Sequence, residues 1–236
     1  NPYLRVFPIK EVSDIGKKYN IPLIMDNTAA PVICKPIEHG AAVVIHSLTK
    51  YLTGNGTSMG GVIIDAGTFN WGNGLFPEFT TPSPSYHGLN YHEALGAIAF
   101  IARVRVEGLR DLGSAPSPFN SFQVLQGLET LQVRMAQHSS NAQDLAEWLL
   151  QREEVAWVNY PGLKSSKYNA LANEYLPKGK SGILTFGLKK GFEAAKKVAD
   201  NTEIFSLLAN IGDTKSLIIH PASTTHSQLN LSLIHI

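Results

Sequence analysis

The stretch AAVVIHSLTKYLTGNG, residues 41–56, decides how the chain is read. It opens as a continuous apolar run and then places Ser47, Thr49 and Lys50 directly behind it, with Gly54 and Gly56 close after. A short unbroken apolar run reads as a strand covered on both faces, so the two hydroxyls and the amine stand at its carboxyl end. Upstream, IPLIMD is a second such run and ends on Asp26; downstream, GGVIIDAG is a third. A helix precedes them, with Val12, Ile15 and Tyr19 at helical spacing, Lys17 and Lys18 in its last turn and Asn20 as its stop. Short apolar strands separated by helical or loop segments predict an α/β fold with a mostly parallel sheet. Open α/β sheets place ligands beyond the carboxyl ends of their strands, so Asp26, Ser47, Thr49 and Lys50 read as parts of one site.

Further along, residues 70–88 are turn-rich yet carry Trp71, Phe76, Phe79 and Tyr86, which predicts a packed functional loop. A helix is expected over 95–112 with Gly113 as its C-cap. Ser117-Pro118 starts a long helix whose apolar stripe runs through Leu125, Leu128, Leu131, Met135, Ala142, Leu145 and Leu149. After it the pattern changes: VAWVNYPG, GILTFGL and SLIIHPAS read as strands and FEAAKKVAD as a helix. The change sets a boundary near Gln143, dividing residues 1–142 from a partial α+β unit over 143–236.

Composition removes several classes. A net charge of +1 with no basic tract suggests neither nucleic acid nor an anionic membrane surface as partner. No apolar run approaches the roughly 20 residues that cross a bilayer. The single cysteine, Cys34, excludes an internal disulfide framework and fits a reducing cytoplasm. No metal is expected, because the eight histidines form no HExxH and have no cysteine partners. His39, His46 and His138 read as structural, and His220 and His226, flanking PASTT, are not at a usual ligand spacing. GNGTSMGG is neither a Walker loop nor a dinucleotide fingerprint, and it precedes a strand rather than opening a helix.

If the chain stays extended past the strand, Ser47 and Thr49 point to one side and Lys50 to the other. Two hydroxyls on one side can donate to a phosphate, while the lysine reaches another part of the same ligand. Asp26 adds a carboxylate, read as buried and therefore in need of a positive partner. Pyridoxal phosphate meets all three demands, with a phosphate, an aldehyde and a ring nitrogen that Asp26 can hold protonated. Taken alone, Ser-x-Thr-Lys also fits a solvated turn, and an aspartate at a strand end also fits a helix cap.

A wider resemblance adds to this reading. PLIMDNTAAP followed by PIEHGAAVVIHSLTKYLTGNGTSMGGVI resembles the core of the Cys/Met-metabolism pyridoxal-phosphate enzymes, the relatives of cystathionine γ-synthase with the aspartate-aminotransferase fold (fold type I). FPEFTTPSPSYHG, LGSAPSPFNSFQVLQGLETLQVRM, WVNYPGL, YLPKGKSGILTFGL and FSLLANIGDTKSLIIHPASTTHSQL resemble the O-acetylhomoserine sulfhydrylase branch. The resemblance implies that Lys50 is the Schiff-base lysine and proton shuttle, Asp26 the partner of the ring nitrogen, and Ser47 and Thr49 the phosphate ligands. It further implies that Asn1 meets the ring hydroxyl and that Asn210 lies close to the substrate carboxylate, where a loop or cap role is an equal reading. The implied reaction is γ-replacement of the acetate of O-acetyl-L-homoserine by sulfide or a thiol, in a cytoplasmic homotetramer. Cystathionine γ-synthase, methionine γ-lyase and a non-catalytic oligomerising chain are the alternatives. Against the family pattern the chain reads as a fragment, inactive alone, whose residues 231–236 (LSLIHI) depart from the expected continuation.

Overall fold

The structure is a computed structural model that describes residues 3–228; Asn1 and the tail at 231–236 lie outside the described residues. Helix α1, Ile9–Lys18, ends as expected: Asn20 takes a left-handed φ of 56° and the Ile21 amide returns to the Gly16 carbonyl at 2.9 Å. Three strands follow, β1 (Ile24–Asp26), β2 (Val43–Ser47) and β3 (Gly61–Asp65), in the order β1-β2-β3. β1 runs parallel to β2, with Asp26 beside Ile45, and β3 runs antiparallel to it, with Gly61 beside Ser47. The α/β class stands, and the described part of the sheet holds one parallel and one antiparallel pair. Register fixes the faces: Asp26, Ile45 and Ser47 share one, and His46 and Val62 the other.

The aromatic loop packs onto the face that carries Val43 and Ile45. Trp71 is 4% exposed, stacks on Phe100 at 4.7 Å and meets Phe69, Phe76 and Phe79 around its rim. Within this region α2 is Pro77–Thr80. The helix expected over 95–112 starts earlier and is broken. α3, Tyr91–Leu95, is capped by Asn90, whose Oδ1 accepts from the Glu93 amide at 3.1 Å, and it stops at Gly96, where φ is 51°. α4 (Ala99–Arg103), a wider π turn and α5 (Arg110–Leu112) follow, and the left-handed Gly113 (φ 69°) is the expected stop.

α6, Pro118–Glu129, begins at Ser117, whose Oγ accepts from the Asn120 amide at 3.1 Å. The single long helix predicted from the stripe is two helices. Thr130 (φ −106°, ψ 0°) separates α6 from α7, Leu131–Leu150, and at this junction the Arg134 guanidinium donates to the Gly127 carbonyl and the Thr130 hydroxyl. α7 runs without interruption past Gln143 and links the sheet to the second half. There Ala142 and Ala146 bury against Tyr160 and Leu163. β4 (Val155–Asn159) pairs antiparallel with β5 (Thr185–Leu188), α8 (Asn169–Tyr175) lies between them in sequence, and α9 (Gly191–Asp200) follows. β6 (Ser206–Leu207) and β7 (Leu217–Ile218) form a short parallel pair flanking the loop that carries Asn210.

Candidate active site

β2 ends at Ser47, and the chain does not continue extended. Residues 48–52 coil into a π turn, in which Lys50 alone departs from helical dihedrals (φ −95°, ψ −131°). This corrects the expectation that period-two alternation sorts the hydroxyls from the lysine. Leu48 packs into the core with Tyr51, Leu52 and Met135, and its carbonyl is taken by the Thr53 amide at 3.1 Å and the Thr53 hydroxyl at 2.6 Å, so the backbone must turn. The turn, not the pleat, sets where Lys50 projects.

Lys50 Nζ donates to Asn210 Oδ1 at 2.6 Å across 160 residues of sequence. Asn210 therefore lies beside Lys50, brought there by a loop that lies on the turn. The Thr214 amide donates to the Gly54 carbonyl at 2.8 Å, and Gly212 (φ 75°) sits flat against Tyr51. A left-handed φ and a space with no room for a side chain both require glycine there.

Asp26 stands at the end of β1, next to β2, but it is exposed, which corrects its reading as a buried carboxylate. β1 is the outermost strand of the described sheet. Asp26 Oδ1 accepts from the Thr28 amide at 2.8 Å, and Thr28 Oγ1 accepts from the Ser47 amide at 2.8 Å. Thr28 thus ties the two strand ends together. Sequence reasoning passed over it, although an aspartate followed two residues later by a donor amide is the signature of such a turn.

The polar groups fit pyridoxal phosphate. Among the described residues the Ser47 hydroxyl makes no hydrogen bond. The Thr49 hydroxyl only accepts, from the Gly60 amide at 3.3 Å, so both O–H groups remain free to donate to a phosphate. Asp26 keeps one oxygen uncommitted and has no cationic partner among the described residues, as a carboxylate awaiting a protonated ring nitrogen requires. Asn1 cannot be placed with them, being outside the described residues.

Neighbouring titratable groups are packing elements. Burial holds His46 below the ordinary imidazole value, with Asp26 pulling weakly the other way. Burial and then the Arg134 charge do the same to His138, which meets the Tyr51 ring edge-on at 5.4 Å. His39 meets Tyr175 edge-on at 4.8 Å. Burial pushes the Cys34 thiol up to about 11, so it stays protonated near neutrality and is no nucleophile. Sequence reasoning also missed Ser181, whose hydroxyl donates to the Ala29 carbonyl at 2.6 Å and lies 3.3 Å from the Tyr51 hydroxyl, joining the segments that follow Asp26 and Lys50. No motif marks it.

Comparison with known proteins agrees with this geometry. Residues 1–233 match the family described as Cys/Met metabolism PLP-dependent enzyme. The O-acetyl-L-homoserine sulfhydrylase of Leptospira meyeri is 54% identical over 97% of this chain and 54% of its own length. O-acetyl-L-homoserine sulfhydrylase 1 of Thermus thermophilus is 47% identical over 98% of this chain and 55% of its own. A crystal structure of an O-acetylhomoserine (thiol)-lyase from Campylobacter jejuni, holding N'-pyridoxyl-lysine-5'-monophosphate, superposes with a TM-score of 0.92 at 43% identity, over all of this chain and 56% of that one. Cystathionine γ-synthase from Xanthomonas oryzae, in complex with aminoacrylate and cysteine, superposes at 0.76 and 31% identity, over 98% of this chain and 52% of that one. The chain spans about half the length of the curated relatives it matches. With the family description matched along nearly its whole length, the chain belongs to the Cys/Met metabolism family of pyridoxal-phosphate-dependent enzymes, with the type I fold.

Proposed function

We propose that this chain carries the cofactor lysine of an enzyme that replaces the acetate of O-acetyl-L-homoserine by sulfide or a thiol, giving homocysteine or methionine. The observation that carries the reading is the presentation of Lys50, the one residue with non-helical dihedrals in the π turn after β2, 2.6 Å from Asn210, with Thr49 in the same turn and Asp26 and Ser47 at the adjoining strand ends. When bound, pyridoxal phosphate supplies an electron sink for charge that develops at the substrate Cα. Ser47 and Thr49 donate their free hydroxyls to its phosphate, and the uncommitted Asp26 oxygen accepts from its ring nitrogen. Lys50 takes the proton at Cα and returns it, a role its flexible stem and three donors suit. Asn210 holds Lys50 Nζ on this side of the site, and the family resemblance assigns it to the substrate carboxylate. Residues 1–142 form the cofactor-binding part and 143–236 part of the second domain. The working form is a cytoplasmic homotetramer, a reading that rests on family resemblance alone.

Incubation of the chain with pyridoxal phosphate, borohydride reduction and peptide mapping tests the cofactor role. The label concentrates on Lys50 and is lost in Lys50→Ala; even labelling of the lysines refutes it. Grafted in place of the matching half of the Leptospira relative, the segment supports sulfide-dependent homocysteine formation. A graft that only eliminates, releasing an oxo acid, indicates the lyase alternative instead.

A further inference from the structure

The turn that displays Lys50 holds only part of itself in place. The Leu48 carbonyl is taken by the Thr53 amide and the Lys50 carbonyl by the Gly54 amide at 2.9 Å, but the Tyr51 and Leu52 carbonyls are not met by amides of the turn. Carbonyls at the end of a helical turn need outside donors. Here they come from α7: Arg134 Nη1 donates to Tyr51 O at 2.7 Å and Nη2 to Leu52 O at 3.3 Å. The rest of the guanidinium is fixed to the α6–α7 junction, with Nη2 on Gly127 O at 2.7 Å and Nε on Thr130 Oγ1 at 3.1 Å. Among the described residues no carboxylate pairs with it. A half-buried arginine is thus committed to main-chain carbonyls, one and two residues past Lys50. The same face of α7 sets Leu131 and Met135 into the cluster around Tyr51 and Leu52, and His138 against the Tyr51 ring.

We propose that Arg134 is the positioning residue of the cofactor lysine: its planar fork locks the Tyr51 and Leu52 carbonyls to the α6–α7 junction and so fixes where Lys50 Nζ points. The inference rests on the cofactor role of Lys50. A rigid fork with donors in fixed directions can hold two carbonyls and a junction at once; a lysine, whose three donors sit on one flexible point charge, cannot span both the turn and the junction in a fixed geometry.

The test is Lys50 labelling by pyridoxal phosphate with borohydride trapping, expressed as the ratio of label on Lys50 to label on the other lysines, in the unsubstituted chain and in Arg134→Met, Arg134→Lys and Thr130→Ala. Circular dichroism reports the fold of each. Arg134→Met lowers the ratio by about ten-fold or more, because it removes both charged hydrogen bonds to the turn carbonyls, each of which corresponds to about that factor. Arg134→Lys recovers part of it. Thr130→Ala, which removes one of the two junction contacts of the fork and leaves both turn contacts, lowers the ratio less than Arg134→Met does. A folded Arg134→Met with an unchanged ratio overturns the proposal, as does a Thr130→Ala loss equal to that of Arg134→Met. If Arg134→Met does not fold, Arg134→Lys decides: a reduced ratio supports the fork, an unchanged one overturns it. A chain that shows no preference for Lys50 before any substitution overturns the cofactor reading itself, which is a separate result.

Discussion

The contact between the Asn210 loop and the Lys50 turn can be weighed by a matched pair of glycine substitutions. Gly212 and Gly113 have nearly the same left-handed dihedral, φ 75° and 69°. Alanine at either position pays about 1–2 kcal/mol for its β-carbon in that region, so this strain cancels in the difference. Their surroundings do not cancel. Around Gly113 a β-carbon meets nothing within 4 Å, whereas at Gly212 it falls 2.5 Å from the Tyr51 backbone nitrogen and 2.6 Å from Tyr51 Cγ. The backbone nitrogen cannot swing aside as a side-chain tip can, so either the loop lifts or the turn moves. Overpacking of this kind costs about 1–3 kcal/mol. Gly212→Ala is therefore expected to destabilise the chain by about 1–3 kcal/mol more than Gly113→Ala. Urea unfolding followed through Trp71, which is buried in the aromatic cluster on the sheet, gives both values. Labelling of Lys50 by pyridoxal phosphate falls in Gly212→Ala and not in Gly113→Ala. Equal destabilisation, within about 0.5 kcal/mol, would mean that the loop does not press on the turn and that the Lys50–Asn210 bond is not held by packing.

Tyr160→Phe is expected to destabilise by about 1–3 kcal/mol, because it leaves the buried Ser139 and Ser181 carbonyls, now 3.2 and 3.0 Å from the Tyr160 hydroxyl, without that donor. A urea midpoint unchanged in the variant speaks against those bonds. Acid sensitivity has a worked sign. His46 and His138 are both held below 6.5 by burial, so below that value the unfolded chain binds more protons than the folded one. The stability they contribute is present above pH 6.5 and is lost as pH falls through their lowered folded values. Urea midpoints measured from about pH 8 down to about pH 5 fall, and His138→Gln reduces the slope; a flat profile refutes the assignment.

The sequence by itself determined the strand ends. Local apolar runs and hydroxyl, lysine and aspartate positions were enough to place Asp26, Ser47, Thr49 and Lys50 at or just past the carboxyl ends of neighbouring strands, because a strand is written in consecutive residues; burial was not so written, since only β2 is mostly buried and Ile24 in β1 and Ile63 and Ile64 in β3 are exposed. The Asn20 stop, the Ser117 cap and the Gly113 stop were legible for the same reason: each depends on one residue's dihedral or side chain. What followed the strand was not legible. The turn at 48–52 exists because Leu48 enters a core built from residues up to 163 positions away and because Arg134 and the Asn210 loop close on it from other elements. The break at Thr130 lies inside an unbroken apolar stripe, and a pattern of apolar spacing carries no record of a guanidinium that binds the Gly127 carbonyl near the helix end. Asp26 read as buried because a strand end suggests cover, whereas exposure depends on which strand lies next to β1. Only the tertiary structure decided these points, since each is a contact between segments remote in sequence, and such contacts leave no local period to read.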